Sequence, residues 1–242
     1  MKNVLKSLLL IFLAYTAGLP TAYGAVVKLA SGSLDFLKQE KQINLEYVYD
    51  GMTVRADKQE VPEKDYVMTK TTQLDAKVAG HGQLWREGWI DDRAAIYQAK
   101  FQDVLNKIVT AKKLDLQFGS FKDSKYTLIL KTTCTELGWK FSDVIKHPFL
   151  INAQADFVET QNPTNLLADL TIIKAPGSAD GTDFATRRGL GEAYGNAGKE
   201  LGILLAKKLK KRLRSFGSSP SSGRRCGFWH ARRTRRFSAQ DT

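Results

Sequence analysis

Chemistry-bearing side chains are scarce in this 242-residue chain, which holds two cysteines, Cys134 and Cys226, and three histidines. Two cysteines make a poor disulfide framework for an exported protein, and neither lies in a metal-ligand spacing. Cys134 falls in a strand-like run and reads as a buried free thiol that packs as a small hydrophobe. Only His81 and His147 lie in the body of the chain. Neither has a second histidine three or four residues away, so no helical zinc pair forms. No G-x-S-x-G elbow is present. The run Gly189-Leu-Gly-Glu-Ala-Tyr-Gly195 spaces its glycines as G-x-G-x-x-x-G and lacks the strand–helix–strand frame of a dinucleotide site. The loop from Gly177 to Asp183 carries two carboxylates, too few oxygens for calcium, and reads as a solvated loop with a helix cap at Asp183. No catalytic residue, cofactor or metal ligand is assigned.

Long apolar runs are also lacking beyond the start. Lys2 and Lys6 precede an apolar stretch from Leu8 to Ala17, then Pro20 and Ala22-Tyr23-Gly24. A charged segment, a short apolar segment and small residues at the end are the marks of a secretory signal peptide over residues 1–24. The run is too short to span a bilayer. Cleavage would leave Ala25 as N-terminus with no cysteine there to carry a lipid, so the expected location is periplasmic or secreted. The net charge is +12, yet residues 25–211 hold 27 basic and 24 acidic residues, a net of +3. A nearly neutral body excludes nucleic acid as its expected partner.

Arginine is rare in that body: 22 lysines stand against Arg55, Arg86, Arg93, Arg187 and Arg188. From Arg212 onward there are eight arginines and no lysine, beyond a Ser/Gly/Pro-rich stretch at 215–223. Such a switch at one point reads as a shifted reading frame near Lys211–Arg214, making 212–242 a disordered tail foreign to the domain. The alternative is a native arginine-rich arm for anionic surfaces.

Patterning organises the body. Ile43, Leu45, Tyr47 and Tyr49 alternate with polar residues up to Asp50-Gly51, which predicts a half-buried strand and a hairpin whose second strand starts at Met52 and Val54. Residues 63–78 predict a weakly amphipathic helix broken by Gly80-His81-Gly82. Asp91 or Asp92 is expected to cap a stronger helix to about Lys112, with Ala94, Tyr97, Phe101, Val104, Leu105 and Ile108 on one face. Gly119 and Lys122-Asp123-Ser124 then form a loop. Three strands follow, over 126–135, 151–157 and about 168–172, alternating as in an antiparallel sheet with one wet face. A last helix is expected from about Thr186 to Lys211, with Leu190, Tyr194, Leu201, Leu205 and Leu209 as its stripe. Gly191, Gly195, Gly198 and Gly202 sit beside that stripe. Each helix-interior glycine costs about 0.5–1 kcal/mol against alanine, so four together imply a close backbone approach, expected against the sheet.

The densest aromatic and charged cluster is Trp85-Arg-Glu-Gly-Trp-Ile-Asp-Asp-Arg93. Trp85, Arg86, Trp89, Asp92 and Arg93 form the candidate ligand or partner surface, since indoles stack on sugars and arginines make bidentate hydrogen bonds. The competing reading makes them a structural lid and cap leading into the next helix.

The segments Lys125-Tyr-Thr-Leu-Ile-Leu-Lys-Thr-Thr133, Glu136-Leu-Gly-Trp139, Asp156-Phe-Val-Glu-Thr160 and Gly191-Glu-Ala-Tyr-Gly-Asn-Ala-Gly-Lys199 resemble an uncharacterised family of exported proteins from Bacteroidales-type anaerobes. The resemblance runs from about Leu34 to Lys211. It implies an envelope or periplasmic location and transfers no catalytic residue. The element order is also similar to envelope accessory proteins of the TolB N-terminal or CsgG-like type, a likeness of fold that does not fix function.

The expected architecture is a single α+β domain over residues 25–211. Its mostly antiparallel sheet is covered on one face by helices at 92–112 and 186–211, a two-layer sandwich. The expected function is non-enzymatic binding or assembly of cell-envelope components, with an envelope protein or glycan as partner. The alternative is an envelope hydrolase or carbohydrate-binding protein using the Trp85–Arg93 region.

Overall fold

The computed structural model describes residues 24–56, 58–142, 144–179 and 183–216. The signal-peptide expectation up to residue 23 and the tail from residue 217 lie outside them, as does the Asp183 side chain.

The chain builds an α+β sandwich. Strands β1 (Val26–Gly32), β2 (Gln42–Val48), β3 (Thr53–Ala56) and β4 (Gln59–Pro62) come first. Helices α1 (Glu63–Asp75), α2 (His81–Asp92) and α3 (Ala99–Ala111) follow, the last two joined by a wide π-type turn at Arg93–Gln98. Then come β5 (Gln117–Gly119), β6 (Tyr126–Glu136), the two-residue strands β7 (Trp139–Lys140) and β8 (Lys146–His147), and β9 (Leu150–Glu159), β10 (Asn162–Pro176) and α4 (Asp183–Phe216). The sheet runs β1-β10-β9-β6-β2-β5, with β3 also alongside β6 and β4 paired to β3.

Strands β6, β9 and β10 alternate as their sequences require. Register places Leu29, Leu170, Ala155, Leu130 and Tyr47 in one row across five strands. That face is sealed by α4, which buries Leu190, Tyr194, Leu201 and Leu205, and by Phe101, Leu105 and Val109 of α3. The opposite face carries the row Lys28, Thr171, Gln154 and Lys131, and beside it Asp169 opposite Asp156. One greasy and one polar face per strand is what period-two patterning dictates.

Several expectations need correction. Asp50-Gly51 does not reverse the chain: β2 and β3 both run parallel to β6, on residues 127–131 and 134–136 in turn. Gly51, at φ +74°, is a kink between two stretches of one advancing edge, and the same residue type serves a bulge as well as a turn. The reversal comes at Lys58 (φ +68°), between β3 and β4. The expected loop at Gly119 instead ends β5, whose three residues add to the edge of β2. The helix expected from residue 92 starts at His81, because Gly80 (φ +83°) permits the chain to turn and re-enter helix at once.

The α4 glycines approach a helix rather than the sheet. A Cβ on Gly198 would stand 2.5 Å from the Phe101 carbonyl oxygen, and one on Gly191 or Gly202 would stand 2.8 Å from a methyl of Ile96 or Ile108. Spacings of four, three and four residues keep all four glycines on the side turned to α3. α4 also continues past Lys211 to Phe216.

Candidate functional site

The Trp85–Arg93 cluster is helical, on α2 and its π-type turn, which places Trp85, Trp89 and Asp92 on successive inward turns. Asp92 is therefore no N-cap. Its carboxylate accepts a 2.7 Å hydrogen bond from Arg187 Nε of α4, and the residue is buried.

Trp89, 6 % exposed, packs against Trp85 with ring centres 5.5 Å apart and against Tyr66 of α1 at 5.6 Å. Its indole Nε1–H donates to Glu63 Oε1 at 2.6 Å, and the same carboxylate oxygen accepts from Arg93. The Arg93 guanidinium sits 4.3 Å from the centre of the Tyr49 ring. Deeper in, Tyr97 stacks on Tyr194 at 5.2 Å, and the Tyr194 hydroxyl shares a 2.6 Å hydrogen bond with Thr132 of β6. Burial pushes the phenols of Tyr47, Tyr97 and Tyr194 well above their ordinary range. They remain neutral hydrogen-bonding groups, unsuited to proton transfer near neutrality.

The candidate residues thus divide. Trp85, Trp89, Asp92 and Arg93 come together as a pillar from the helix layer into the core. Arg86 is exposed and lies apart, beside a groove of about 650 Å³ between α1 and α2 that also takes in Met68 and Ile90. A smaller hollow of about 350 Å³ opens over Trp85, Trp89, Asp92 and Arg187. Glu63, which lines the groove, and Asp92, which lines the hollow, are each held in an ion pair, with Arg93 and Arg187 in turn. Glu63, Tyr66, Tyr49 and Arg187 complete the cluster from distant elements, which no local spacing could signal.

A second polar cluster forms where β3, β6 and β8 meet. His147 Nε2 lies 2.8 Å from Glu136 Oε1, Arg55 Nη1 donates to Glu136 Oε2 at 3.1 Å, and Arg55 also pairs with Glu60. Cys134 lies two residues before Glu136 on β6, and burial pushes its thiol up, which keeps it a protonated, weak nucleophile. Arg55, Glu60, Glu136 and His147 thus tie four strands together through hydrogen bonds and the Arg55 ion pairs. Among the described residues, no group of three or more His, Cys, Asp or Glu could hold a metal ion, and no helix is long and apolar enough to cross a membrane.

No protein-family model matches the chain, and no curated protein matches it in sequence. Solved structures give distant likenesses. A point variant of the PelC dodecamer from Paraburkholderia phytofirmans aligns at 8 % identity and a TM-score of 0.28, covering 72 % of this chain and 99 % of that one. The PelC dodecamer of the same organism in another crystal form aligns at 8 % and 0.27, covering 72 % and 96 %. A Xanthomonas campestris protein of the DUF330 family aligns at 10 % and 0.34, covering 79 % and 98 %. Likeness this low carries no inference about this chain.

Proposed function

We propose that this is an exported, non-enzymatic protein that binds or helps assemble cell-envelope components, offering the free edge of β1 to a partner. The observation that carries the reading is the pairing of β1, which takes β10 on one side and no strand on the other among the described residues. A seven-residue edge without proline presents a row of backbone donors and acceptors to an incoming extended segment. The opposite end of the sheet is a three-residue strand, too short for the same use. The closed ion pairs around Trp89 and Asp92 favour binding over hydrolysis.

Export is tested by N-terminal sequencing of the chain released from the envelope by osmotic shock, which should begin at Ala25. The edge is tested with a photo-crosslinking residue in place of Lys28, exposed on β1, against the same probe in place of Lys107, exposed on α3. A discrete adduct with an envelope protein or glycan at position 28, missing at position 107, supports the reading. An unprocessed chain, or identical adduct patterns at both positions, overturns it.

A further inference from the structure

The hairpin of β7 and β8 stands outside the main sheet as its own two-stranded unit. Soluble surfaces seldom concentrate large apolar side chains, yet here four of them crowd nine residues. Phe141 is 83 % exposed and Val144 91 %, with Ile145 at 53 % and Trp139 at 48 %. From the geometry of this hairpin, we infer that its apolar tip inserts into the interfacial region of an anionic lipid bilayer, with Lys140 and Lys146 at the depth of the lipid phosphates.

Two observations select a bilayer over a protein groove. First, the side chains are layered along the hairpin. Trp139 faces His147 at the base, stacked at 6.1 Å, Lys140 faces Lys146 one step out, and Phe141, Val144 and Ile145 lie beyond. Second, Lys140 and Lys146 share one level of the hairpin, where a field of negative headgroups attracts lysine side chains. The single acid of the segment, Asp143, leaves it cationic by sequence. An indole next to cations is the interfacial pattern that amphipathic anchors use. The base is fixed to the body: His147 meets Glu136 at 2.8 Å, and Phe149 follows immediately, 2 % exposed. The hairpin and the β1 edge are separate, so this inference stands or falls without the previous one.

The test uses the full chain with vesicles of phosphatidylcholine and phosphatidylglycerol at 7:3. The double variant Phe141→Asp, Val144→Asp changes only exposed side chains, and its circular dichroism should match that of the parent. Its vesicle partition should fall by about tenfold or more, as expected for losing two buried apolar side chains and placing two charges at the interface. A second measurement is independent of the chain termini. The emission difference between the parent and Trp139→Phe isolates Trp139, and brominated lipid should quench that component. Equal partition of parent and double variant overturns the inference. So does a Trp139 component that brominated lipid leaves unquenched, including the case in which the hairpin crosslinks to a protein instead.

Discussion

Gly198 and Gly195 lie on the same face of α4, one turn apart, yet they should respond to enlargement with opposite sign. A Cβ on Gly198 meets the Phe101 carbonyl oxygen at 2.5 Å and the Leu105 amide nitrogen at 3.2 Å, both backbone atoms of α3. Backbone cannot rotate away as a side-chain tip can, so the helices must part. Overpacking of this kind costs about 1–3 kcal/mol, and Gly198→Val adds two methyl groups to the conflict. The gain in helix propensity on leaving glycine offsets only a few tenths of a kcal/mol when valine is the replacement. At Gly195 the nearest atom is a Val104 methyl at 3.5 Å, an ordinary contact. Gly195→Ala therefore keeps the packing and gains about 0.5–1 kcal/mol of helix propensity. With roughly 2–4 °C per kcal/mol for a domain of this size, Gly198→Val should melt about 2–12 °C lower and Gly195→Ala about 1–4 °C higher. Differential scanning calorimetry of the two variants beside the parent measures both. If both variants melt higher, α3 and α4 do not approach as described, and the close-packing account fails.

Two further outcomes follow from the site and from the polar face of the sheet. Trp89→Ala removes the centre of the Tyr66–Trp85–Trp89 cluster and the donor to Glu63, and should destabilise by about 3–5 kcal/mol in urea unfolding, while Arg86→Ala stays within about 0.5 kcal/mol; equal effects would remove Trp89 from the fold's support. Asp156 is raised to about 6, by burial first and then by Asp169 opposite it. The folded chain therefore keeps a proton that the unfolded chain releases at about 4, and stability should fall as pH rises from about 4 to 6. Asp156→Asn should flatten that slope and raise the urea midpoint at about pH 7.5, and an unchanged slope between about pH 4.5 and 7.5 would assign the dependence elsewhere.

Patterning revealed those elements whose burial is one-sided. β9 alternates Ile151, Ala153, Ala155 and Phe157 with polar residues, and the structure buries the first set on the face that α4 covers. The three residues of β5 are too few to show a period, and its place depends on β2 rather than on its own sequence. Asp50-Gly51 misled because a glycine at positive φ fits a hairpin and a kinked continuation alike, and only pairing with β6, some 80 residues away, separates them. The start of α2 was hidden by Gly80 and Gly82, which break helices when exposed. Gly82 is instead required, since a Cβ there would stand 2.2 Å from the Thr71 carbonyl oxygen. In the candidate cluster, Trp85, Trp89, Asp92 and Arg93 were legible as neighbours, but their partners Glu63, Tyr49 and Arg187 come from three other segments. The matching of the cluster's charges depends on those segments meeting in three dimensions, which local spacing does not encode.

Among the described residues, strand β1 pairs with β10 alone, so that Val26 lies beside Ile173. A ribosome that has released the first strand must write most of the domain before a mate for it exists. The C-terminal meander of β6, β9 and β10 can close early because its contacts are near in sequence, whereas the first strand arrives last. The sheet is thus completed only after β10 has been made, because β1 pairs with no earlier strand among the described residues.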